Sequence, residues 1–127
     1  MDSGNTSDVG YPDDNPKTQY GVRKPSLALV PGTAMVSCAR VFELGARKYG
    51  PYNWRDRTVS SSVYVNAAER HLRAWWDGET TDPESGESHL AHVMACMAIL
   101  LDAHATQRLN DDRPTPAPTG AMMRDVP

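Results

Sequence analysis

Glu69 is an ionisable side chain on the apolar face of a predicted helix. At about 100° per residue, Val65, Leu72 and Trp76 share that face, and Glu69 projects between them. A carboxylate in such a position is costly unless a cation or a metal ion meets it. Glu69 is therefore a candidate metal ligand, although Arg73, one turn later, offers an ordinary ion-pair partner.

His89 and His92 are three residues apart at the start of the next apolar segment. This spacing places both imidazoles on one face of a helix, the face that also carries Cys96. If the two helices pack antiparallel, Glu69 and both imidazoles converge near the loop that joins them. Nitrogen and oxygen ligands in one place suit a divalent metal ion. The alternative is that the histidines are ordinary capping and core residues.

An acidic loop joins these two segments and contains four carboxylates, Glu79, Asp82, Glu84 and Glu87. Such a run usually forms a solvated loop, and Glu87 also suits the positive N-terminus of the following helix. Because the loop lies between the two candidate ligand helices, Glu79 and Asp82 could assist a metal ion. One of the loop carboxylates could also act as a general base.

A second group of side chains suits a nucleotide. Cations, aromatic rings and an amide lie close together in the sequence: Arg47, Lys48, Tyr49, Tyr52, Asn53, Trp54, Arg55 and Arg57. Aromatic rings can stack on a base, and Lys and Arg can hold phosphates. The alternative is a polar loop between helices, with aromatic side chains packed beneath it.

Three helices must position these side chains. Apolar spacing and capping residues predict helices from about Ala34 to Tyr49, from about Val63 to Trp76, and from Ser88 to Leu101. The third is apolar on nearly all sides and should be the most buried. The sequence thus predicts an all-α fold, a compact bundle of three main helices per chain that oligomerisation completes.

The 127 residues suffice for one folded domain, which we place at residues 24–109. The flanking residues 1–23 and 110–127 are poor in apolar side chains, which predicts two disordered tails. A domain this small buries a limited core, so we expect a homodimer or a homotetramer.

Composition also excludes several partners. A net charge of −3 without a long basic run argues against duplex nucleic acid. No apolar run approaches the length of about 20 residues needed to span a membrane. Cys38 and Cys96, with no secretory leader, predict free thiols in a reducing compartment, the cytoplasm.

Several short motifs, taken in order, resemble the phage dATP/dGTP diphosphohydrolase family. The resemblance covers about Lys24 to Asp102, and the ordered set is more specific than any one piece. The motifs are Gly45-Ala46-Arg47-Lys48-Tyr49-Gly50, Asn53-Trp54-Arg55, Arg70-His71-Leu72, Gly78-Glu79 with Asp82, Glu84-Ser85-Gly86, and His89-Leu90-Ala91-His92.

The resemblance implies a MazG-like, all-α nucleoside triphosphate pyrophosphohydrolase that uses Mg²⁺ or Mn²⁺. Such an enzyme would hydrolyse dGTP or dATP to the monophosphate and pyrophosphate, and so adjust the nucleotide pool of a phage or its host. It would act in the host cytoplasm if a phage encodes it. The usual MazG pattern is Glu-x-x-Glu and then Glu-x-x-Asp, whereas Asn66, Glu69, His89 and His92 stand in those places here. Two histidines suit Mn²⁺, Zn²⁺ or Fe²⁺ better than Mg²⁺.

We therefore predict a metal-dependent hydrolase of purine deoxynucleoside triphosphates. The predicted metal ligands are Glu69, Asp82, His89 and His92, and the predicted catalytic carboxylates are Glu69, Glu79 and Asp82. The predicted substrate-binding residues are Lys48, Tyr49, Asn53, Trp54, Arg55 and Arg70. One alternative is an HD-like phosphohydrolase that releases triphosphate or phosphate, although the chain contains no His-Asp dipeptide. Another is a non-catalytic module for nucleotide binding or protein interaction.

Overall fold

The computed structural model describes residues 10–125, and α-helix is their main secondary structure. The chain divides into two compact units, one up to Gly32 and one from Thr33 onward. The prediction of an all-α fold is confirmed.

The first unit contains a short helix, α1 (Pro16–Gly21), and a 3₁₀ turn at Leu27–Leu29. The side-chain oxygen of Asn15 accepts a hydrogen bond from the Lys17 N–H and so caps α1. Pro16 suits the first helical position, where its missing N–H would have no partner within the helix. Local capping thus forms a helix inside the segment whose composition predicts an N-terminal tail.

Helix α2 spans Gly32–Tyr49 and ends at the residue that the sequence predicts. Gly50 follows with φ of 90°, a left-handed conformation that glycine adopts without a steric penalty. Tyr52 is also left-handed, with φ of 55°, and a one-turn helix, α3 (Asn53–Asp56), begins directly after it. These turns bring Trp54 back against α2, where its ring centroid lies 5.6 Å from that of Phe42.

Helices α4 (Ser61–Trp76) and α5 (His89–Ala105) form a packed pair. They match the second and third predicted helices to within about one turn at each end. Ser88 caps α5, because its side-chain oxygen accepts a hydrogen bond from the Leu90 N–H. Within the described part, α5 contains more buried residues than any other helix, as predicted.

Small side chains line the contact between these two helices. Ala68 of α4 is 5% exposed, and Ala91 and Ala95 of α5 are 2% and 4% exposed. Helix axes approach more closely where the contacting side chains are small. The core of the described part is correspondingly thin, and it contains no large side chain that is fully buried.

The apolar face of α4 that the sequence singles out does not face α5. Val65, Leu72 and Trp76 are 39%, 47% and 74% exposed, and Glu69 between them is also exposed. Ala68 lies on the inner side of the helix instead. The sequence predicts that this face is buried, but in the single chain it is exposed. Apolar spacing identifies an apolar face of a helix but does not identify the surface that covers it.

A short parallel pairing joins the start of α4 to the end of α5. Strand β1 (Val59–Ser60) pairs with β2 (Leu109–Asn110). After β2, the Asp112 carboxylate accepts a hydrogen bond of 2.8 Å from the Ser62 N–H at the start of α4. A last short helix, α6, spans Thr119–Arg124.

Both α1 and α6 lie in segments that the composition predicts to be tails, and the division into a domain with two tails stays a prediction. None of the helices in residues 10–125 combines the length and the apolar character that a membrane crossing requires.

Candidate functional site

Three side chains, from α4, the acidic loop and α5, form a group that could hold a metal ion. They are His71, Asp82 and His92, and one ligand atom from each lies within 4.8 Å of the other two. The imidazole rings of His71 and His92 are stacked, with centroids 4.3 Å apart and planes at 4°. All three side chains are half-buried, so the group is accessible without being fully solvated.

The loop between α4 and α5 brings Asp82 to the start of α5. The Asp82 N–H donates to the Glu87 carbonyl at 2.9 Å, and Thr81 pairs with Ser88 in an antiparallel bridge. Gly86, at φ of 78°, closes the turn with a hydrogen bond of 2.8 Å to the Asp82 carbonyl. The acidic loop is therefore a closed turn rather than an extended segment, and most of its residues are exposed.

Local hydrogen bonds favour the ionised form of Asp82. Burial of the carboxyl acts to raise its pKa, but the Glu84 N–H and the Ser85 hydroxyl donate to it at 3.2 Å each. Its Oδ2 also lies 3.5 Å from His92 Nε2. Together these contacts outweigh burial and lower the pKa of Asp82, so the group carries a carboxylate at neutral pH.

The two imidazoles of the group favour their neutral forms. Burial lowers the pKa of His71, and the neighbouring His92 and His89 lower it further. Burial likewise lowers the pKa of His92 and outweighs the opposing effect of Asp82. A neutral imidazole has a lone pair for a metal ion, so the protonation states suit metal binding.

Two residues of this site, His71 and Ser85, are not among those predicted from the sequence. The Ser85 hydroxyl oxygen lies 2.7 Å from His92 Nε2, and it also donates to Asp82. His71 follows Ala68 by three residues and therefore shares the face of α4 that packs on α5. Small residues at helical spacing before a histidine were the available signal for that face.

His89 and Glu79, both predicted site residues, lie beside the group of three. His89 is 4% exposed. Its Nδ1 is 2.8 Å from His71 Nδ1, and its Nε2 is 2.7 Å from Glu79 Oε1. His89 thus contacts one member of the group, although it is not itself a member.

Glu69 lies apart from this group. It precedes His71 by two residues, which places it about 200° away around α4. It lines a surface depression with Leu72, Arg73 and Trp76. The expectation that Glu69 converges with the histidines is therefore not met within the single chain, because α4 turns His71 towards α5.

A cavity of ≈ 670 Å³ adjoins the group, and α2, α3 and α5 contribute to its walls. This volume lies within the range of about 300–1,000 Å³ that is typical of small-molecule sites. Four of the predicted substrate-binding residues line it, namely Tyr49, Asn53, Trp54 and Arg55. His92 belongs both to the cavity wall and to the group of three.

The other two predicted substrate-binding residues are cations near the histidines. Burial is the main cause of the lowered pKa values of both histidines, and nearby positive charges add to it. Lys48 acts in this way on His92, and Arg70 acts on His71. Each of the two cations is therefore close enough to one histidine of the group to affect its pKa.

Asp102 holds the aromatic end of the cavity in place. Its carboxylate accepts hydrogen bonds from the Trp54 indole N–H at 2.7 Å and from two Arg55 nitrogens at 2.8 Å each. Arg55 and then Trp54 lower the pKa of Asp102 to about 2. The Arg55 guanidinium also lies 4.4 Å from the centroid of the Tyr52 ring. Trp54 and Arg55 therefore have defined orientations before any ligand arrives.

Comparison with known proteins yields one family. The sequence model of a family described as "dATP/dGTP diphosphohydrolase, N-terminal" matches residues 14–113. The match includes every element of the site and begins ahead of helix α1. No curated protein and no solved structure matches the chain.

Proposed function

Because the chain belongs to the dATP/dGTP diphosphohydrolase N-terminal family, we propose that it hydrolyses dGTP or dATP to the monophosphate and pyrophosphate with a divalent metal ion. The observation that carries this proposal is the double position of His92, which lines the cavity and also belongs to the group with His71 and Asp82. A nucleotide in the cavity would therefore have its phosphates next to the metal ion.

The donor atoms of the group fit a divalent ion. Two neutral imidazoles and one ionised carboxylate form a mixed nitrogen and oxygen set, which suits Mn²⁺ better than Mg²⁺. We propose that His71, Asp82 and His92 hold the ion. Once bound, the ion would polarise a phosphoryl oxygen and lower the pKa of a water molecule.

Base and phosphates would occupy different parts of the cavity. Tyr49 and Trp54 are the proposed stacking partners of the purine, and Asn53 beside them could hydrogen-bond with the nucleotide. Within the described part, Lys48 and Arg70 have no ion-pair partner, whereas Arg55 is paired with Asp102. Lys48 and Arg70 are therefore the better-suited cations for neutralising phosphate charge.

Glu79 is the proposed general base. Its side chain is 52% exposed, and its Oε1 accepts a hydrogen bond from His89, which contacts His71 of the proposed metal site. A carboxylate that is half in solvent and next to the reacting phosphates can accept the proton of the attacking water.

A second copy of the chain is the proposed cover for the exposed apolar face of α4. Val65, Leu72 and Trp76 lie on that face, and Leu101 of α5 is also 74% exposed. Large exposed apolar patches mark interaction sites, and a core this thin gains stability when more apolar surface is buried. We therefore propose a homodimer or homotetramer as the active form.

Product analysis tests the proposed reaction. The full chain would be incubated with dGTP, dATP, dCTP, dTTP or GTP, each with Mg²⁺, with Mn²⁺ or without metal, and the products separated by anion exchange. We expect the purine monophosphate and pyrophosphate, formed only with metal. His92→Ala should abolish turnover, and His104→Ala, a matched change at an exposed position of α5, should retain it.

Two other results would overturn the proposal. Nucleoside with triphosphate would favour the HD-like chemistry. Nucleotide binding without turnover, under every metal condition, would favour a binding module.

A further inference from the structure

His89 is a buried imidazole whose two ring nitrogens both have protein partners. Its Nδ1 lies 2.8 Å from His71 Nδ1, and its Nε2 lies 2.7 Å from Glu79 Oε1. We propose that Glu79 and His89 are positioning residues that orient His71, so that its Nε2 lone pair points to the metal ion. This inference rests on the metal site of the proposed function.

The direction of each hydrogen bond follows from the carboxylate. An ionised carboxylate only accepts hydrogen bonds, so the proton between Glu79 and His89 belongs to His89 Nε2. In its neutral form His89 carries one N–H, and in that form its Nδ1 accepts the hydrogen bond from His71. The proton between the two rings then belongs to His71 Nδ1, which leaves Nε2 of His71 as the nitrogen with a free lone pair.

Contacts on two sides fix the plane of the His71 ring. The rings of His71 and His89 meet at 49° with centroids 5.1 Å apart, an arrangement compatible with a nitrogen-to-nitrogen hydrogen bond. On its other side, the His71 ring stacks on His92. Rotation of His71 would break its hydrogen bond to His89, so the metal-free protein favours one tautomer and one ring orientation.

The same contacts argue that His89 is not itself a ligand. It is 4% exposed, and neither of its nitrogens is free. A metal-bound imidazole commonly donates its other N–H to a carboxylate or carbonyl, which fixes the tautomer. Here a second imidazole stands between the ligand and the carboxylate, and it transmits the same constraint.

Histidine tautomers in the metal-free protein test the inference directly. Long-range ¹H–¹⁵N correlation spectra of the full chain, labelled at histidine, distinguish Nδ1–H from Nε2–H. We expect His71 to carry its proton on Nδ1 and His89 on Nε2. A proton on Nε2 of His71 would overturn the proposal, whether or not the protein hydrolyses nucleotides.

Metal affinity supplies the second readout. Glu79→Ala should make the His71 tautomer mixed and raise the Kd for Mn²⁺, followed by electron paramagnetic resonance, about 10–100-fold. Glu79→Gln keeps an oxygen acceptor and should restore most of the affinity. Glu84→Ala, at an exposed glutamate of the same loop, is the matched control and should bind as the wild type does. Because the Glu79 side chain is half exposed, these variants should fold.

The outcomes separate this inference from the proposed function. If Glu79→Ala loses turnover but keeps the Mn²⁺ affinity and the His71 tautomer of the wild type, Glu79 acts as a general base only. That result would overturn the positioning role. The expected tautomers and affinities without any hydrolysis would support the positioning role and overturn the proposed reaction. A wild-type chain that binds no Mn²⁺ would overturn both.

Discussion

Enlarging Ala68 should destabilise the protein and disturb the proposed metal site together. Ala68 is 5% exposed on α4, and α5 is the main packing partner of that helix. It lies three residues before His71, on the same face. Ala68→Leu would insert an isopropyl group into a contact that small side chains keep close.

The size of the effect follows from how little the two helices can adjust. A leucine with room to pack would gain about 0.8 kcal/mol per buried methylene. In a filled contact, added carbon instead costs about 1–3 kcal/mol, because side chains or backbones must shift. If α4 and α5 move apart, the stacked rings of His71 and His92 also separate, and Mn²⁺ affinity should fall.

Urea unfolding at a fixed protein concentration measures the stability effect. With an m value of about 2 kcal/mol/M, a loss of about 2 kcal/mol lowers the midpoint by about 1 M. The matched control is Ala39→Leu, an exposed position within α2, where leucine has nearly the helix propensity of alanine. Equal midpoints for Ala68→Leu and Ala39→Leu would refute the idea that a close contact excludes the larger side chain.

Three further predictions concern the oligomer, acid stability and metal binding. Leu72→Glu, on the exposed face of α4, should reduce the mass measured by light scattering to that of a monomer. The reason is that the proposed interface would bury an unpaired charge. An unchanged mass would contradict the proposed interface. Arg55 and Trp54 hold the pKa of folded Asp102 at about 2, below its ordinary 3.8, so its stabilising contribution is present above pH 3.8 and is lost as pH falls through about 2. Asp102→Asn should therefore flatten the urea midpoint against pH in this window, and an unchanged slope would contradict the assignment. Mn²⁺ at a hundredfold excess over its Kd should stabilise the folded chain by about 2.7 kcal/mol, and His92→Ala should remove the corresponding rise in melting temperature.

Local signals made the three main helices predictable from sequence. Gly50 ends α2 because its left-handed φ of 90° suits glycine, and Ser88 starts α5 with a side-chain cap. Neither effect needs contacts distant in sequence. The acidic loop and the histidine pair are likewise close together along the chain, so residue types and spacing alone identify them as a candidate site.

The orientation of α4 was not predictable in this way. Apolar spacing favoured the face of Val65, Glu69 and Leu72, whereas the helix packs on α5 through the side of Ala68 and His71. Large apolar side chains dominate a periodicity signal, but alanines permit the closest helix contact.

The sequence by itself thus determined the three main helices, the acidic loop and the types of residue available for chemistry. Only the tertiary structure decided that His71 rather than Glu69 joins Asp82 and His92, and that His89 is enclosed between His71 and Glu79. The physical reason is that a helix rotates as a rigid body, and the packing of its whole length sets which side chain points inward.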